Sequence, residues 1–363
     1  MEVSKGKISV FQFFSMLFLS RTLTTVTYLS SYTENIRLSD MLVQPVFRII
    51  IGTAIMIPVY LLYKNHNDKN LLEIIGERSK VIARCVSVFY ILTFFYFTIV
   101  TIARLDLFAG TIVFPETDVD FMLVFAIILC CYGAYLGFEA LGRSSVISAV
   151  FVVPALIFIM VTLVEKVDFL NLTPLFYNGV TPVIKVAVDS VGQTVEYAII
   201  ALMLPRVKGN VKKGFFVWLV LQTLLMALMF FFACTVMGNF ASTQLFPFHT
   251  LASLAEFAMF GRLDAIFTSV WIMCAFIKAG LLIFLQKDIL KTQFGKFKGA
   301  YYIVAIGILT IISNLFISGR IERFTFIDNS IIKIIITGVT VVIIPLCVLI
   351  FMRKEKRKCE KQE

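Results

Sequence analysis

The sequence predicts an all-α polytopic membrane protein with ten transmembrane helices. Hydrophobic residues make up 59% of the 363 positions and charged residues 15%, and the mean hydropathy is +0.92. A soluble domain carries about a quarter charged residues, so this composition excludes a water-soluble globular protein. One bilayer crossing takes about 20 apolar residues, and the chain is long enough for about ten crossings. We therefore expect a single membrane domain over residues 1–363, ending in a basic tail at 353–363.

The ten predicted spans are apolar runs bounded by charged or turn-forming residues. The first follows Lys5 and Lys7, the fourth follows the acidic turn Pro115–Asp118, and the last ends where the basic tail begins. A further apolar run at 249–260 is too short to cross and is expected to lie at the interface. The predicted spans are 8–33, 42–63, 85–113, 121–141, 145–164, 180–204, 214–237, 263–286, 299–318 and 330–352.

The distribution of Lys and Arg predicts that both termini are cytoplasmic. With that orientation, the inner segments hold 22 of these residues and the outer segments hold 6, including Arg48. Cytoplasmic segments of membrane proteins carry such an excess, and an even number of spans agrees with it. The net charge of +10 is thus an orientation signal. We expect the lipid bilayer, and no nucleic acid, as a partner.

The sequence offers no pattern typical of a metal site, a cofactor site or an enzyme. Its seven cysteines fall mostly inside apolar runs without repeated spacing, and its two histidines are His66 and His249. Such cysteines are typical of small core residues, and zinc sites commonly use histidine. A glycine-rich phosphate loop ending in lysine is also missing from the sequence. We expect a non-enzymatic protein without metal or cofactor.

Cationic residues within the predicted spans are candidates for function, because each costs about 2.5–3.5 kcal/mol on insertion scales. Lys185 and Lys333 lie close to the outer ends of their spans, so we expect their side chains to extend to the headgroups. Arg104 and Asp106 are two residues apart and do not share a helix face. Each is expected to pair with another helix or with solvent.

A polar stretch near the middle of the first span, Ser20–Thr27, contains five hydroxyl groups and the guanidinium of Arg21. Hydroxyls can bond the carbonyls freed in an interrupted helix, and arginine binds carboxylates bidentately. The stretch predicts a broken helix that lines a ligand site, with Ser20, Arg21, Thr22 and Thr24 as contacts. Alternatively, the helix is intact, its hydroxyls bond carbonyls four residues earlier, and Arg21 pairs with an acid on a neighbouring helix.

A second interruption is predicted in the sixth span, at Asp189–Glu196. Gly192 weakens a helix by about 1 kcal/mol relative to alanine, and the adjacent polar groups are costly in lipid unless they face a cavity. Ser190, Gly192 and Gln193 are ligand candidates, and Glu196 is a candidate coupling or structural charge. Breaks in spans one and six match a five-plus-five inverted repeat, with repeats at about 8–164 and 180–352. The alternative is two polar faces buried in an ordinary bundle.

Spans three, four and eight supply the remaining candidates. Tyr96 is expected either to close a pocket or to belong to the core. In span eight, Cys274 is a ligand candidate. Lys278 could stand where other carriers hold a cation, take part in proton coupling, or extend toward the cytoplasm. Glu139 and Arg143, four residues apart at the inner end of span four, are expected to form a helical ion pair with a coupling or structural role.

Five short motifs, in order along nearly the whole chain, resemble a known family. They are Gly137–Arg143, similar to G-x-E-x-x-x-R; Asn171–Pro174 with Gly179; Glu196 with Pro205; Phe246–Phe248 with Glu256; and Arg262–Asp264 with Trp271 through Lys278. This set resembles the B-subunit permeases of spore germinant receptors, the GerAB-like branch of the amino acid/polyamine/organocation superfamily.

The resemblance implies a ten-helix fold of the leucine-transporter type, with helices 1 and 6 broken. It also implies a role in sensing a nutrient germinant, usually an amino acid. The implied partners are a membrane A subunit and a lipoprotein C subunit of a germinant receptor. The implied location is the inner membrane of the spore.

The leading functional hypothesis is a germinant-sensing subunit that binds a small polar nutrient, expected to be an amino acid. The ligand would lie at mid-membrane between spans one, three, six and eight. Half-helix N-terminal ends and Arg21 would hold its carboxylate, and Gln193 and exposed carbonyls its amine. A second hypothesis is an autonomous cation- or proton-coupled amino acid permease. A third is a structural subunit whose pocket is vestigial.

Overall fold

The fold is all-helical apart from one pair of two-residue strands. A computed structural model describes residues 7–27, 38–65, 69–115, 120–173, 179–256, 262–295 and 297–359. In these ranges the helices are α1 Val10–Val26, α2 Gln44–Ile55, α3 Ile57–Asn65, α4 Leu71–Gly76, α5 Lys80–Phe108, α6 Asp120–Leu136, α7 Phe138–Thr162, α8 Thr181–Gly192, α9 Glu196–Met203, α10 Val211–Phe232, α11 Pro247–Ser253, α12 Asp264–Phe294, α13 Gly299–Ile317, α14 Ile321–Ile327, α15 Ser330–Gly338 and α16 Ile344–Cys359. The strands are β1 Ile8–Ser9 and β2 Val207–Lys208.

Several of these helices continue through a turn of π-helix, at Ala109–Val113, Ala233–Met237 and Val339–Ile343. Seven continuous helical segments are long and apolar enough to cross a membrane. The bent pair Thr181–Gly192 and Glu196–Arg206 makes eight when it is counted as one span. Two further apolar helices, α1 and α6, have 17 residues each. The protein is therefore a multi-pass membrane protein, and the count of ten spans stays a prediction.

The most enclosed of these segments is α12, which has 67% of its apolar window buried inside the protein. It packs against α1, α5, α6, α7 and α13. Its 31 residues continue beyond the predicted end at 286 to Phe294, because Lys287 does not interrupt the helix. Trp271 and Lys278 lie on this central helix and are buried.

The boundary between α6 and α7 differs from the prediction. Helix α6 ends at Leu136 and α7 begins at Phe138, so Glu139 and Arg143 lie in the first turns of α7 and not at the end of span four. The turn is made by Gly137, whose φ of 100° is nearly inaccessible to other residues. Glu139 and Arg143 form the predicted ion pair, with 2.5 Å between Oε1 and Nη2, on an exposed face.

We predict that Gly137→Ala destabilises the protein by about 1–3 kcal/mol, because the backbone would be strained at that φ. Gly338→Ala is the matched control, since Gly338 is helical and an added methyl group would meet nothing within 4 Å. The control is expected to raise stability by up to about 1 kcal/mol. Thermal unfolding in detergent measures both, and equal effects of the two substitutions would contradict the role assigned to Gly137.

The two strands join distant parts of the chain. Ile8 pairs with Val207 and Ser9 with Lys208 in a parallel ladder. Ser9 also begins α1 with a capping box, in which its hydroxyl accepts from the backbone N–H of Gln12. The start of α1 is thereby tied to the segment that follows α9.

Candidate functional site

The polar stretch of α1 is helical from Ser20 to Val26. Helix α1 runs without a break from Val10 to Val26. Thr22 donates to the carbonyl of Phe18 at 2.8 Å, and Thr27 donates to the carbonyl of Leu23 at 2.6 Å. No break occurs between Ser20 and Val26, where Thr22 and Thr25 bond carbonyls one turn earlier, and the helix ends at Thr27, the last residue of the stretch. The remainder of the first predicted span, from residue 28 to 33, lies outside the described residues.

The predicted break in the sixth span is present. Helices α8 and α9 meet at 43°, with Gln193, Thr194 and Val195 between them. The carbonyl of Gly192 accepts a hydrogen bond of 2.7 Å from Thr337. A side chain at Gly192 would overlap the backbone of Ile334, so glycine allows α15 to lie against the break. Gly192 thus packs against a helix and does not line a cavity.

A buried ion pair joins α9 and α12 beside the polar side of α1. The Nζ of Lys278 lies 3.3 Å from Oε1 of Glu196, and both side chains are at most 4% exposed. The same ammonium donates to Oγ1 of Thr24 at 2.8 Å and to the carbonyl of Ser20 at 3.4 Å. Ser20 donates its hydroxyl to Glu196 at 2.5 Å. We call Ser20, Thr24, Glu196 and Lys278 the Lys278 cluster.

The contacts of the Lys278 cluster exclude one of the three interpretations of Lys278, the extended side chain. Lys278 lies near the centre of the 31-residue α12, farther from the helix end than the sequence indicated. Its ammonium is held by three groups of α1 and α9 and does not extend toward the cytoplasm. A cation fixed beside a carboxylate in this way neutralises that carboxylate without a bound metal ion.

A second buried charge cluster joins α5, the break and the residues before α15. Arg104 donates to both carboxylate oxygens of Asp328 at 3.0 Å and to the side-chain oxygen of Gln193 at 3.3 Å. Lys333 contacts Oδ1 of Asp328 at 2.5 Å and is 1% exposed. The prediction that Lys333 extends to the headgroups is wrong, because Asp328 binds it inside the protein. Lys185 is exposed, as expected.

A cavity lies beside the polar face of α1, between α8 and α10. Its volume is about 50 Å³. Arg21 donates to the hydroxyl of Ser190 across this space at 2.7 Å, and both side chains are buried. We call it the central cavity. Its lining residues are Arg21, Thr24, Thr25, Thr27, Arg104, Val186, Asp189, Ser190, Gln193, Met226, Phe230 and Ser330.

A smaller cavity, with a volume of about 20 Å³, lies next to the central cavity. The two cavities share Thr24, Arg104 and Gln193. Lys278 and Lys333 also line this space. The two charge clusters and the break thus surround one polar centre. Of the predicted ligand residues, Arg21, Thr24, Ser190 and Gln193 line it, and Ser20 joins it through Glu196.

Other predicted ligand residues lie elsewhere. The hydroxyl of Thr22 accepts a hydrogen bond from Gln222 of α10. Tyr96 donates its hydroxyl to the carbonyl of Ile327 at 2.7 Å. Cys274 is fully buried and lines neither of the two cavities. The charges at Glu139 and Arg143 are exposed at the start of α7, away from this centre.

The predicted site residues do not include two members of the polar centre, and one further residue was assigned to the wrong segment. Asp328 was not predicted as a site residue, although it precedes Lys333 by five residues. Thr101 also lines the smaller cavity. Arg48, counted with the outer segments, lies within α2 and is 0% exposed.

An aromatic group contacts Thr27, one of the residues that line the central cavity. Trp271 donates its indole N–H to the hydroxyl of Thr27 at 2.6 Å and stacks on Phe108 at 4.5 Å between ring centroids. His249 of α11 packs against Phe108 at 5.5 Å. Burial of the ring lowers the pKa of His249.

Long apolar helices enclosing a break, paired charges and small polar cavities define a multi-pass membrane protein. The model of the family "Spore germination protein" (Spore_permease) matches residues 7–320. The chain belongs to this family, which confirms the resemblance of its motifs.

Two comparisons place the chain more closely. The chain is 27% identical over 241 residues to "Putative spore germination protein YfkT" of Bacillus subtilis (strain 168). The aligned region covers 63% of this chain and 65% of that protein. The chain thus spans somewhat less than two thirds of the curated relative. Its fold is similar to that of a Na+-coupled sialic acid symporter in a substrate-bound outward-open state, with a TM-score of 0.61 and 11% identity, over 93% of this chain and 79% of the symporter chain.

Proposed function

We propose that the protein is the germinant-sensing subunit of a spore germination receptor and binds a small nutrient, of the amino acid class, at mid-membrane. The observation that carries this proposal is the central cavity, in which Arg21 is buried and directed across the space toward the break between α8 and α9. A buried guanidinium at a helix break suits a ligand carboxylate. Membership of the spore germination family supports the same function.

The proposed ligand lies with its carboxylate on Arg21 and its amine on Gln193, Asp189 and exposed carbonyls. All three side chains line the central cavity. A water molecule needs about 10–15 Å³ of such a cavity, so the central cavity holds only a few water molecules. An amino acid therefore requires the lining helices to move apart. A ligand that binds one arrangement better than another shifts the population toward it, and that shift is the proposed signal.

The assembly and location are part of the proposal. We assign the chain to the inner membrane of the spore, with both termini cytoplasmic, beside a membrane A subunit and a lipoprotein C subunit. We also propose that its helices form ten spans in a five-plus-five inverted repeat of the leucine-transporter type. The fold similarity to a Na+-coupled symporter supports this arrangement.

Alanine substitution of Arg21 tests the proposed site. A thermal-shift screen of the purified chain against the amino acids is expected to find a stabilising ligand. Arg21→Ala should weaken its binding about 10- to 100-fold, since a hydrogen bond to a charged group contributes about 1.5–3 kcal/mol. Gln193→Ala should weaken it less. Arg262→Ala is the control, because Arg262 is exposed and paired with Asp264.

The same variants in spores separate the proposal from a structural subunit with a vestigial pocket. An unchanged germination response with Arg21→Ala and Gln193→Ala, at normal protein abundance, would contradict a ligand role for the central cavity.

The alternative function is an autonomous cation- or proton-coupled amino acid permease, which the fold similarity to a Na+-coupled symporter favours. The Lys278 cluster favours the receptor over Na+ coupling, since an ammonium already neutralises Glu196. Uptake of labelled amino acid into proteoliposomes by the chain alone would support the permease. Binding without uptake would support the receptor subunit.

A further inference from the structure

One face of α2 carries buried polar groups that belong neither to the Lys278 cluster nor to the second charge cluster, which contains Asp328. Gln44, Arg48 and Gly52 are spaced four residues apart and share this face, which packs against α8 and α10. Gln44 and Arg48 are both 0% exposed. The hydroxyl of Tyr197, from α9, lies directly against Gly52, where a methyl group would overlap it. This hydroxyl is thus on the same face of α2 as Arg48.

Arg21 and Arg48 are connected through Met226 of α10. Nη1 of Arg48 contacts the sulfur of Met226 at 3.8 Å, and Met226 lines the central cavity with Arg21. We call Arg21, Gln44, Arg48 and Tyr197 the arginine pocket.

Seven buried side-chain atoms of the arginine pocket lack a hydrogen-bond partner in the described part of the chain. They are Nε and Nη1 of Arg21, Nε and Nη2 of Arg48, both amide atoms of Gln44, and the hydroxyl of Tyr197. Native proteins leave few buried polar groups unpaired, so a cluster of this size calls for a ligand or bound water. All but the Gln44 oxygen carry hydrogen atoms to donate, which is the chemistry that recognises an anion.

The balance of buried charge indicates the same class of ligand. The described residues include five buried cations, Arg21, Arg48, Arg104, Lys278 and Lys333, and three buried carboxylates, Asp40, Glu196 and Asp328. Glu196 pairs with Lys278, and Asp328 with Arg104 and Lys333. Within the described ranges, no carboxylate lies at ion-pair distance from Arg21 or Arg48. Each of these two guanidinium groups is thus buried without a directly paired carboxylate, an arrangement that is energetically costly.

We propose that the arginine pocket binds the carboxylate of a small organic anion, held jointly by Arg21 and Arg48, so that the site favours net anionic ligands over zwitterions. This inference rests on the proposed function and narrows its ligand class to acidic amino acids and related carboxylates. The planar fork of each guanidinium matches a carboxylate, which a lysine in its place would do less well.

The test uses the purified full chain in detergent, with L-glutamate and succinate as probes and L-glutamine as the neutral isostere of glutamate. L-glutamate or succinate is expected to raise the unfolding temperature above that found in chloride of equal ionic strength. Arg48→Lys should weaken that binding about 10- to 100-fold. Arg48→Met should abolish it, while the control Arg262→Met leaves it unchanged.

The ligand-free variants give a second readout, which keeps the test valid if a variant binds nothing. Removing an uncompensated buried charge relieves a desolvation cost, so Arg48→Met is expected to unfold at a higher temperature than the parent without ligand. A purely structural Arg48 would have the opposite effect. If Arg48→Met does not fold, Tyr197→Phe and Arg48→Lys carry the same binding comparison.

Three outcomes would overturn the inference. One is an equal effect of chloride and the carboxylates, and another is a carboxylate effect that persists in Arg48→Met, either of which leaves the pocket to water. The third is a response to neutral amino acids that requires Arg21 but not Arg48, which leaves the proposed function standing. Conversely, a carboxylate response that requires both arginines supports the inference even when no zwitterion binds.

Discussion

Replacing Lys278 by methionine is expected to lower the free energy of unfolding by about 3–5 kcal/mol. The substitution leaves the carboxylate of Glu196 buried without its ammonium, and uncompensated buried charges have costs of that size. Glu196→Gln should have a similar effect, because it strands Lys278 at 3% exposure. The measurement is reversible unfolding in mixed micelles, or the unfolding temperature where unfolding is irreversible.

The double variant Lys278→Met/Glu196→Gln provides the sharper test. Replacing both members of a buried ion pair is often nearly neutral, so the double variant should recover most of the stability lost by either single one. Arg143→Met is the matched control, since its pair with Glu139 is 69% and 56% exposed and is worth at most about 1 kcal/mol. Additive losses in the double variant would show that the two charges do not compensate each other.

Asp328→Asn is expected to destabilise the protein by a similar amount, about 3–5 kcal/mol. This carboxylate contacts both Arg104 and Lys333 in a region where all three side chains are at most 8% exposed. Removing its charge leaves two buried cations that repel each other. The unfolding temperature should fall by more than in Asp264→Asn, whose partner Arg262 is exposed.

A compensating variant separates charge from shape at Asp328. Asp328→Asn/Lys333→Met removes one cation together with the carboxylate and should recover part of the loss. Because Arg104 also bonds Gln193 at the break, the ligand response of Asp328→Asn should change as well. A fall in stability no larger than that of Asp264→Asn would contradict the role of Asp328 as the centre of this cluster.

The sequence predicted the helices well where a single property determines them. Apolar runs located the long helices, and Gly192 with its polar neighbours located the break between α8 and α9. The boundary at Gly137 was missed because the apolar run continues on both sides of it, and only the backbone φ marks the turn. The helix of α1 is intact as far as Val26, because hydroxyls that could bond freed carbonyls bond intact helical ones equally well.

The partners of buried charges were beyond the sequence. Lys333 is near a helix end, which predicts an extended side chain unless a carboxylate lies closer, and Asp328 became a partner only through the turn before α15. Lys278 and Glu196 are 82 residues apart, and no local pattern relates them. Arg48 shares a face with Gln44 by simple helical spacing, but its burial depends on how α2 meets α8 and α10.

The short ladder between β1 and β2 has a mechanical consequence. It fixes the beginning of α1 to the chain just beyond α9, while the far end of α8 lies on the other side of the break. A change in the 43° angle that leaves the ladder intact therefore moves α8 relative to both α9 and the beginning of α1. Because Arg21 lies on α1 and Ser190 on α8, the hydrogen bond between them across the cavity depends on that angle.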